Sequence, residues 1–240
     1  MRQVPRNVCY LLIGNGRVAR HFQHYFLSLQ LPFVTWQRSE SLSVLQDHLR
    51  HASHILLLIT DDAIEPFIEA HLSKTTALLI HCSGSLVSRR AHGAHPLMTF
   101  GLESYAEAVY TQIPFMLDDH APPFAEVLPG LPNPHFRLER LQKAKYHALC
   151  VLAGNFSCML WQKLFQDFEQ DLNLPAASAV PYLTQQMHNL VADYQSALTG
   201  PLMRGDALTL QRNVQALAGD PFQAVYQSFI QCYQSMQESS

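Results

Sequence analysis

Apolar and polar positions follow two different rhythms in the first half of the chain. The short apolar run Val8–Ile13 leads into Gly14-Asn15-Gly16-Arg17-Val18-Ala19, and Val18, Phe22, Tyr25, Phe26 and Leu29 then recur at helical spacing. That order predicts a strand, a tight turn and an amphipathic helix. Phe33–Trp36 predicts a second strand, and Leu42, Leu45 and Leu49 mark a short helix. His54–Thr60 is apolar on both faces, as a strand inside a parallel sheet must be. Asp61 or Asp62 is placed to cap a helix carrying Ile64, Phe67, Ile68 and Leu72, and Pro66 is tolerable there only in the first turn. Ala77–Cys82 predicts another buried strand, and Phe115–Leu117 and His135–Leu138 extend the sheet. Strands alternating with short helices argue for a doubly wound parallel sheet.

The rhythm changes near residue 139. Leu141–Leu172 has helical period throughout and predicts one long helix. Pro175 opens another helix that runs to about Ser196 with a bend at Pro181, and Asp206–Leu217 and Pro221–Met236 predict two more. The expected organisation is an α/β domain over 1–139 and an all-helical domain over 140–240. Val151, Leu152, Phe156, Met159, Leu160, Leu164, Phe165 and Phe168 cover much of the long helix's circumference. A helix apolar on more than one face needs a partner beyond its own domain, which predicts a twofold homodimer.

Composition narrows the class. The 240 residues are 48% hydrophobic, ample for a buried core, and the net charge of −3 gives no basic field for nucleic acid or an anionic membrane. No apolar run reaches the length of a membrane span, and Met1–Arg6 lacks the apolar core of a secretory leader. Cys9, Cys82, Cys150, Cys158 and Cys232 are scattered and odd in number, which fits reduced thiols in a cytoplasmic protein. His48, His51 and His54 invite a metal reading, as do His92 and His95, but no carboxylate or cysteine completes a tetrahedral set, so no metal is expected.

The turn at Gly14–Ala19 carries the clearest chemistry. Gly14 permits the tight strand-to-helix turn, Gly16 lets a pyrophosphate approach the backbone, and Ala19 lets helix and strand pack closely. Amides at Asn15–Val18 would then hold phosphate at the positive end of the helix, although glycines also mark ordinary turns. A nicotinamide cofactor with a bare ribose needs an acid at the end of the second strand, about 20 residues on. Trp36-Gln37-Arg38-Ser39 stands there instead, and the first carboxylate is Glu40. Arg38 and Ser39 suit a 2′-phosphate, favouring NADP over NAD, unless Arg38 is a solvated loop residue. Thr60 and Asp61, with Ser83 and Gly84, fall at strand ends where such a cofactor is lined; capping is the other reading for the acids.

Six stretches carry a family resemblance: Leu11–Ala19, Leu56–Ile64, His81–Leu86 (HCSGSL), Gly93–Phe100 (GAHPLMTF), Tyr146–Phe156 (YHALCVLAGNF) and Leu198–Asp206 (LTGPLMRGD). In this order they resemble the Rossmann-like oxidoreductases whose C-terminal domain has no assigned function, a group similar to 6-phosphogluconate dehydrogenase, pyrroline-5-carboxylate reductase and ketopantoate reductase. The resemblance implies an NADP-binding Rossmann domain, an all-α 6-phosphogluconate-dehydrogenase-like domain that often dimerises, and a cleft between them. It implies no particular substrate. Hydroxyacid-reducing relatives carry a lysine four residues before the helical asparagine; Val151 stands there, against a lysine-based mechanism.

Reducing a C=O or C=N bond needs a proton donor and a group that stabilises developing charge. His95 is the sharpest candidate donor, with a structural histidine in a turn as the alternative. His147 and Asn155 lie on the long helix, eight residues apart, so α-helical geometry separates them by about 12 Å along the axis and roughly 80° in rotation. Asn155 otherwise bridges two helices. Arg204 suits a substrate carboxylate, or else pairs with Asp206, and Thr199 lies in the same break between helices. Two functions follow: an NADP-dependent oxidoreductase acting on a small, carboxylated keto, hydroxy or imino metabolite, or a non-catalytic NADP(H)-binding sensor or partner module.

Overall fold

The computed structural model describes residues 8–238; the opening Met1–Arg6, read above for a leader, lies outside them. The first strands and helices are β1 (Tyr10–Ile13), α1 (Arg17–Ser28), β2 (Phe33–Trp36), α2 (Leu42–Leu49), β3 (His54–Leu57) and α3 (Asp61–Phe67). They are followed by β4 (Leu78–His81), β5 (His92–Pro96), α4 (Glu107–Tyr110), β6 (Phe115–Asp118), α5 (Phe124–Val127) and β7 (His135–Leu138). The strands form a seven-stranded sheet in the order β2-β1-β3-β4-β5-β6-β7. All neighbours are parallel except β5 and β6.

The period-two alternation of strand residues builds a core on each face. Tyr10, Leu12, Leu56 and Ile80 face one cluster with Ala19, Phe22 and Phe26 of α1. Leu11, Ile13, Ile55, Leu57 and Leu79 face the other, with Leu45 of α2 and Ile64 of α3. Strands that feed both faces need near-continuous apolar runs, which is why these three were conspicuous in the sequence.

Three local expectations are corrected. The N-cap of α3 is Thr60, so Asp61 and Asp62 occupy the first turn rather than the cap. Pro66 lies deep in α3, not in its first turn. Its missing N–H removes an i→i−4 bond, and the helix continues as a wider π turn over Ile68–Leu72. His95 lies on a strand, not in a turn.

Helical structure runs without a break over Arg140–Gln170. It comprises a 3₁₀ turn (Arg140–Gln142), α6 (Lys143–Cys150), a π segment (Val151–Phe156) and α7 (Ser157–Gln170). Ser157 supports the π segment by donating its hydroxyl to the carbonyls of Ala153 and Gly154, at 2.5 and 3.0 Å. By length and composition this run can cross a membrane, with a mean hydropathy of 1.2 in its most apolar window. That corrects the expectation that no apolar run is long enough; interruptions by Lys, His and Gln hide it from the eye.

The chain divides into two compact units at Ser157/Cys158. Lys143, Tyr146, His147 and Asn155 therefore belong with the sheet. The second unit holds α7, α8 (Val180–Ala192), α9 (Pro201–Arg204), α10 (Ala207–Ala216) and α11 (Phe222–Glu238). Pro181 falls in the first turn of α8, where it does not bend the helix. Lys163 bridges Asp167 and Asp220 at 2.6 and 2.5 Å, and Asn213 donates to the Tyr226 hydroxyl at 2.9 Å. Among the described residues of this unit, Ala179 is the only buried apolar side chain.

Candidate active site

The C-terminal edge of the parallel strands gathers four loops. At the end of β1, Gly14 has φ +129°, and a Cβ there would strike the carbonyl oxygen of Leu58. Only glycine fits, because Leu58 donates its N–H to Ile13 at 2.8 Å and so runs tight against the turn. Gly16 caps α1 with its backbone alone, and nothing lies within 4 Å of where its Cβ would be. The first amides of α1 thus face open space, flanked by exposed Asn15 and Arg17, while Val18 is half-buried and Ala19 fully buried against the sheet. This is a cradle for an anionic group.

Beyond β2 the chain turns through Gln37–Glu40. Glu40, the nearest acid, accepts the Gln37 N–H at 2.8 Å and is held in the turn. Arg38 and Ser39 are exposed at its tip. Beyond β3, Thr60 is exposed and Asp61 reaches across to the loop after β4, accepting from Ser83 Oγ at 2.5 Å and Ser85 Oγ at 3.3 Å. Ser83 Oγ accepts in turn from the amides of Ser85 and Leu86. Asp61 thereby fixes the Ser83–Gly84 turn, and its charge is favoured at the start of α3.

His95 enters from β5, which runs parallel to β4 and extends past its end. Its Nδ1 lies 2.8 Å from the Tyr146 hydroxyl, and its ring stands edge-on to His147 with centroids 6.1 Å apart. Gly84 fits between them: a Cβ would lie 2.6 Å from His147 Cδ2 and 3.2 Å from His95 Nε2. Burial pushes the His95 imidazole down to about 4, with the charges of His147 and Lys143 adding to the effect. Burial also raises the Tyr146 hydroxyl above its usual range, as does neighbouring Cys150. A neutral imidazole and a protonated phenol share two hydrogens. One lies in their bond and the other is left to face outward.

Behind this pair lies a layer the sequence reading passed over. Lys143 and Asp118 form an ion pair at 2.6 Å with side chains only 4% and 2% exposed. Asp118 also accepts the Gly93 amide at 2.8 Å. His81, fully buried, accepts the Ser83 amide at Nδ1 and leaves Nε2 without a partner among the described residues. Burial, then the Lys143 charge, holds His81 down at about 4. A lysine inside the motif-bearing helix was visible, but its partner is 25 residues away and nothing local marks the pair.

Asn155 lies exposed on the π segment. Arg204 and Thr199 belong to the second unit, where Asp206 caps α10 and binds Thr209 through both carboxylate oxygens. Among the described residues, no group of three or more His, Cys, Asp or Glu side chains is arranged to hold a metal ion.

Comparisons with known proteins agree with this architecture. Residues 120–234 match the family described as a domain of unknown function, DUF2520. No curated protein matches the chain by sequence. A Bacteroides fragilis protein described as an NADP oxidoreductase superposes with a TM-score of 0.75 at 17% identity, over 95% of this chain and 98% of its own. An imine reductase from Streptomyces aurantiacus gives 0.61 at 14% identity, over 96% and 95%. Pyrroline carboxylate reductase from Plasmodium falciparum, solved with NADP bound, gives 0.57 at 10% identity, over 97% and 99%. The chain therefore has the Rossmann-type fold shared by these oxidoreductases, followed by a helical part most of which lies within the DUF2520 match.

Proposed function

We propose that the chain is an NADP(H)-dependent oxidoreductase that acts on the C=O or C=N bond of a small metabolite, and the reverse, beside His95. The observation that carries this reading is the His95–Tyr146 hydrogen bond at the same sheet edge as the open cradle of α1. Solved structures of the same fold include the Plasmodium falciparum enzyme with NADP bound, which supports the cofactor. Exposed Arg38 and Ser39, with Glu40 held in its turn, support the 2′-phosphate form. When bound, NADPH supplies a hydride.

The chain's own residues account for the proton. With Tyr146 O–H donating to Nδ1, His95 carries its hydrogen on Nε2, the atom beside Gly84. That N–H is a donor to the charge that develops on the substrate oxygen or nitrogen. Asp61 and Ser83 stiffen the turn that limits how far a substrate can sink. In this proposal His147 and Asn155 act beside the reacting bond, and Arg204 with Thr199 binds a carboxylate. Among the described residues Arg204 makes no ion pair within 4 Å. The protein works as a cytoplasmic homodimer built on its helical part.

The test is NADPH consumption with a panel of cyclic imines, keto acids and hydroxy acids. His95→Ala should lower kcat by about 100-fold or more while leaving NADPH affinity unchanged. A parent protein that binds NADPH yet consumes none of it with any member of the panel would favour the sensor reading instead.

A further inference from the structure

We propose that the buried Lys143–Asp118 pair, seated on Gly93, is the positioning element that holds Tyr146 against His95. The inference rests on the oxidoreductase reading for its consequence in turnover, and on geometry alone for its structural part.

Two ladders meet at this point. On β5, Gly93 and His95 are two residues apart and so share one face of the sheet. On α6, Lys143, Tyr146 and His147 are spaced three and four residues apart and so share one helical face. The helix therefore touches the strand at two heights: Lys143 over Gly93, and Tyr146 over His95. At Gly93 a Cβ would lie 2.6 Å from both Lys143 Nζ and Asp118 Oδ1, so the contact closes only because that side chain is absent. Asp118 completes it from β6, accepting from the Gly93 amide with one oxygen and from Lys143 with the other.

A buried ion pair is a poor source of stability, because desolvating both charges offsets most of their attraction. What it supplies is directional. Lys143 opens α6, so tying its ammonium to the sheet fixes the rotation and the axial position of the next turn, where Tyr146 and His147 stand. An apolar contact at the same place would hold the helix down without fixing its rotation. Among the described residues, the side-chain hydrogen bonds that join α6 to β5 and β6 are Lys143–Asp118 and His95–Tyr146.

Two variants test this in the full chain. Lys143→Met with Asp118→Asn removes both charges together and keeps an acceptor for the Gly93 amide. Gly93→Ala leaves the charges and pushes the pair apart. The first readout is the nitrogen spectrum of the His95 imidazole in histidine-labelled protein, assigned by its loss in His95→Ala. It requires no substrate. Both variants should lose the hydrogen-bonded Nδ1 signature of the parent, and His95 should titrate closer to the ordinary imidazole range. The second readout is turnover: kcat should fall at least tenfold with KM and NADPH affinity held within about twofold, the pattern of a lost transition-state contact. A His95 spectrum unchanged in both folded variants overturns the proposal, whatever the activity. A shifted spectrum in a protein that turns over nothing supports the positioning and counts against the oxidoreductase reading alone.

Discussion

The two imidazoles buried beneath the sheet edge make the first unit sensitive to acid well above the carboxylate range. Burial pushes His81 and His95 each down to about 4 from the ordinary 6.5, and the Lys143 charge acts in the same direction on both. With the folded pKa below the unfolded one, the unfolded chain takes up protons first. The stability each histidine contributes is therefore present above 6.5 and is lost as pH falls from there through 4. A shift of about 2.5 units is worth about 3.4 kcal/mol per histidine at the acid limit. About 2 kcal/mol of that is gone by about pH 5. His54 and His92 are lowered by burial and add with the same sign. Asp118, a lowered carboxylate, stabilises fully above its ordinary 3.8 and loses that contribution only below it, so imidazoles dominate this window. Urea unfolding at about pH 7 and pH 5, followed by buried Trp36 in a Trp161→Phe background, should show a loss of about 3–4 kcal/mol. That is a large share of the ~5–15 kcal/mol typical of a domain. His81→Asn keeps an acceptor for the Ser83 amide and should roughly halve the loss. Equal stability at the two pH values would refute the claim that these imidazoles are held neutral.

Two more outcomes follow from the exposed features. NADP(H) should raise the melting temperature more than NAD(H) at equal concentration, the gain reaching about 2.7 kcal/mol at a hundredfold excess over Kd. Arg38→Ala should remove the difference, and a variant that keeps it would exclude Arg38 as the phosphate ligand. Light scattering at micromolar concentration should give twice the single-chain mass, because Leu152, Phe156 and Met159 are 55%, 47% and 50% exposed in one chain. Burying one such side chain fully is worth about 1.5–3 kcal/mol. Serine at all three positions should shift the population to single chains, and a parent with the single-chain mass counts against the dimer.

The sequence showed the elements whose physics is local. Strands buried on both faces leave unbroken apolar runs, so β1, β3 and β4 were legible, as was the Gly14–Ala19 turn. β5 was not, because His92-Gly93-Ala94-His95-Pro96 has no such run. Gly93 is there to admit the ion pair, and His95 to meet Tyr146, so its composition answers to contacts far along the chain. For the same reason His95 was found but Tyr146, Lys143 and Asp118 were not. The His147–Asn155 rotation was reckoned on uniform α-helix, whereas a π segment occupies Val151–Phe156 and advances less per residue. No side-chain pattern announces that change; only Gly154 and the back-bonding hydroxyl of Ser157 hint at it.

That π segment holds one residue more than an α-helix would use for the same rotation, because each of its residues turns the chain less. Removing a single residue between Val151 and Phe156 would therefore restore ordinary α-helical bonding with little net rotation of the helix. Lys143 and Tyr146 lie upstream of the change and would keep their places on the sheet. In this chain a spare residue is stored inside a helix rather than in a loop.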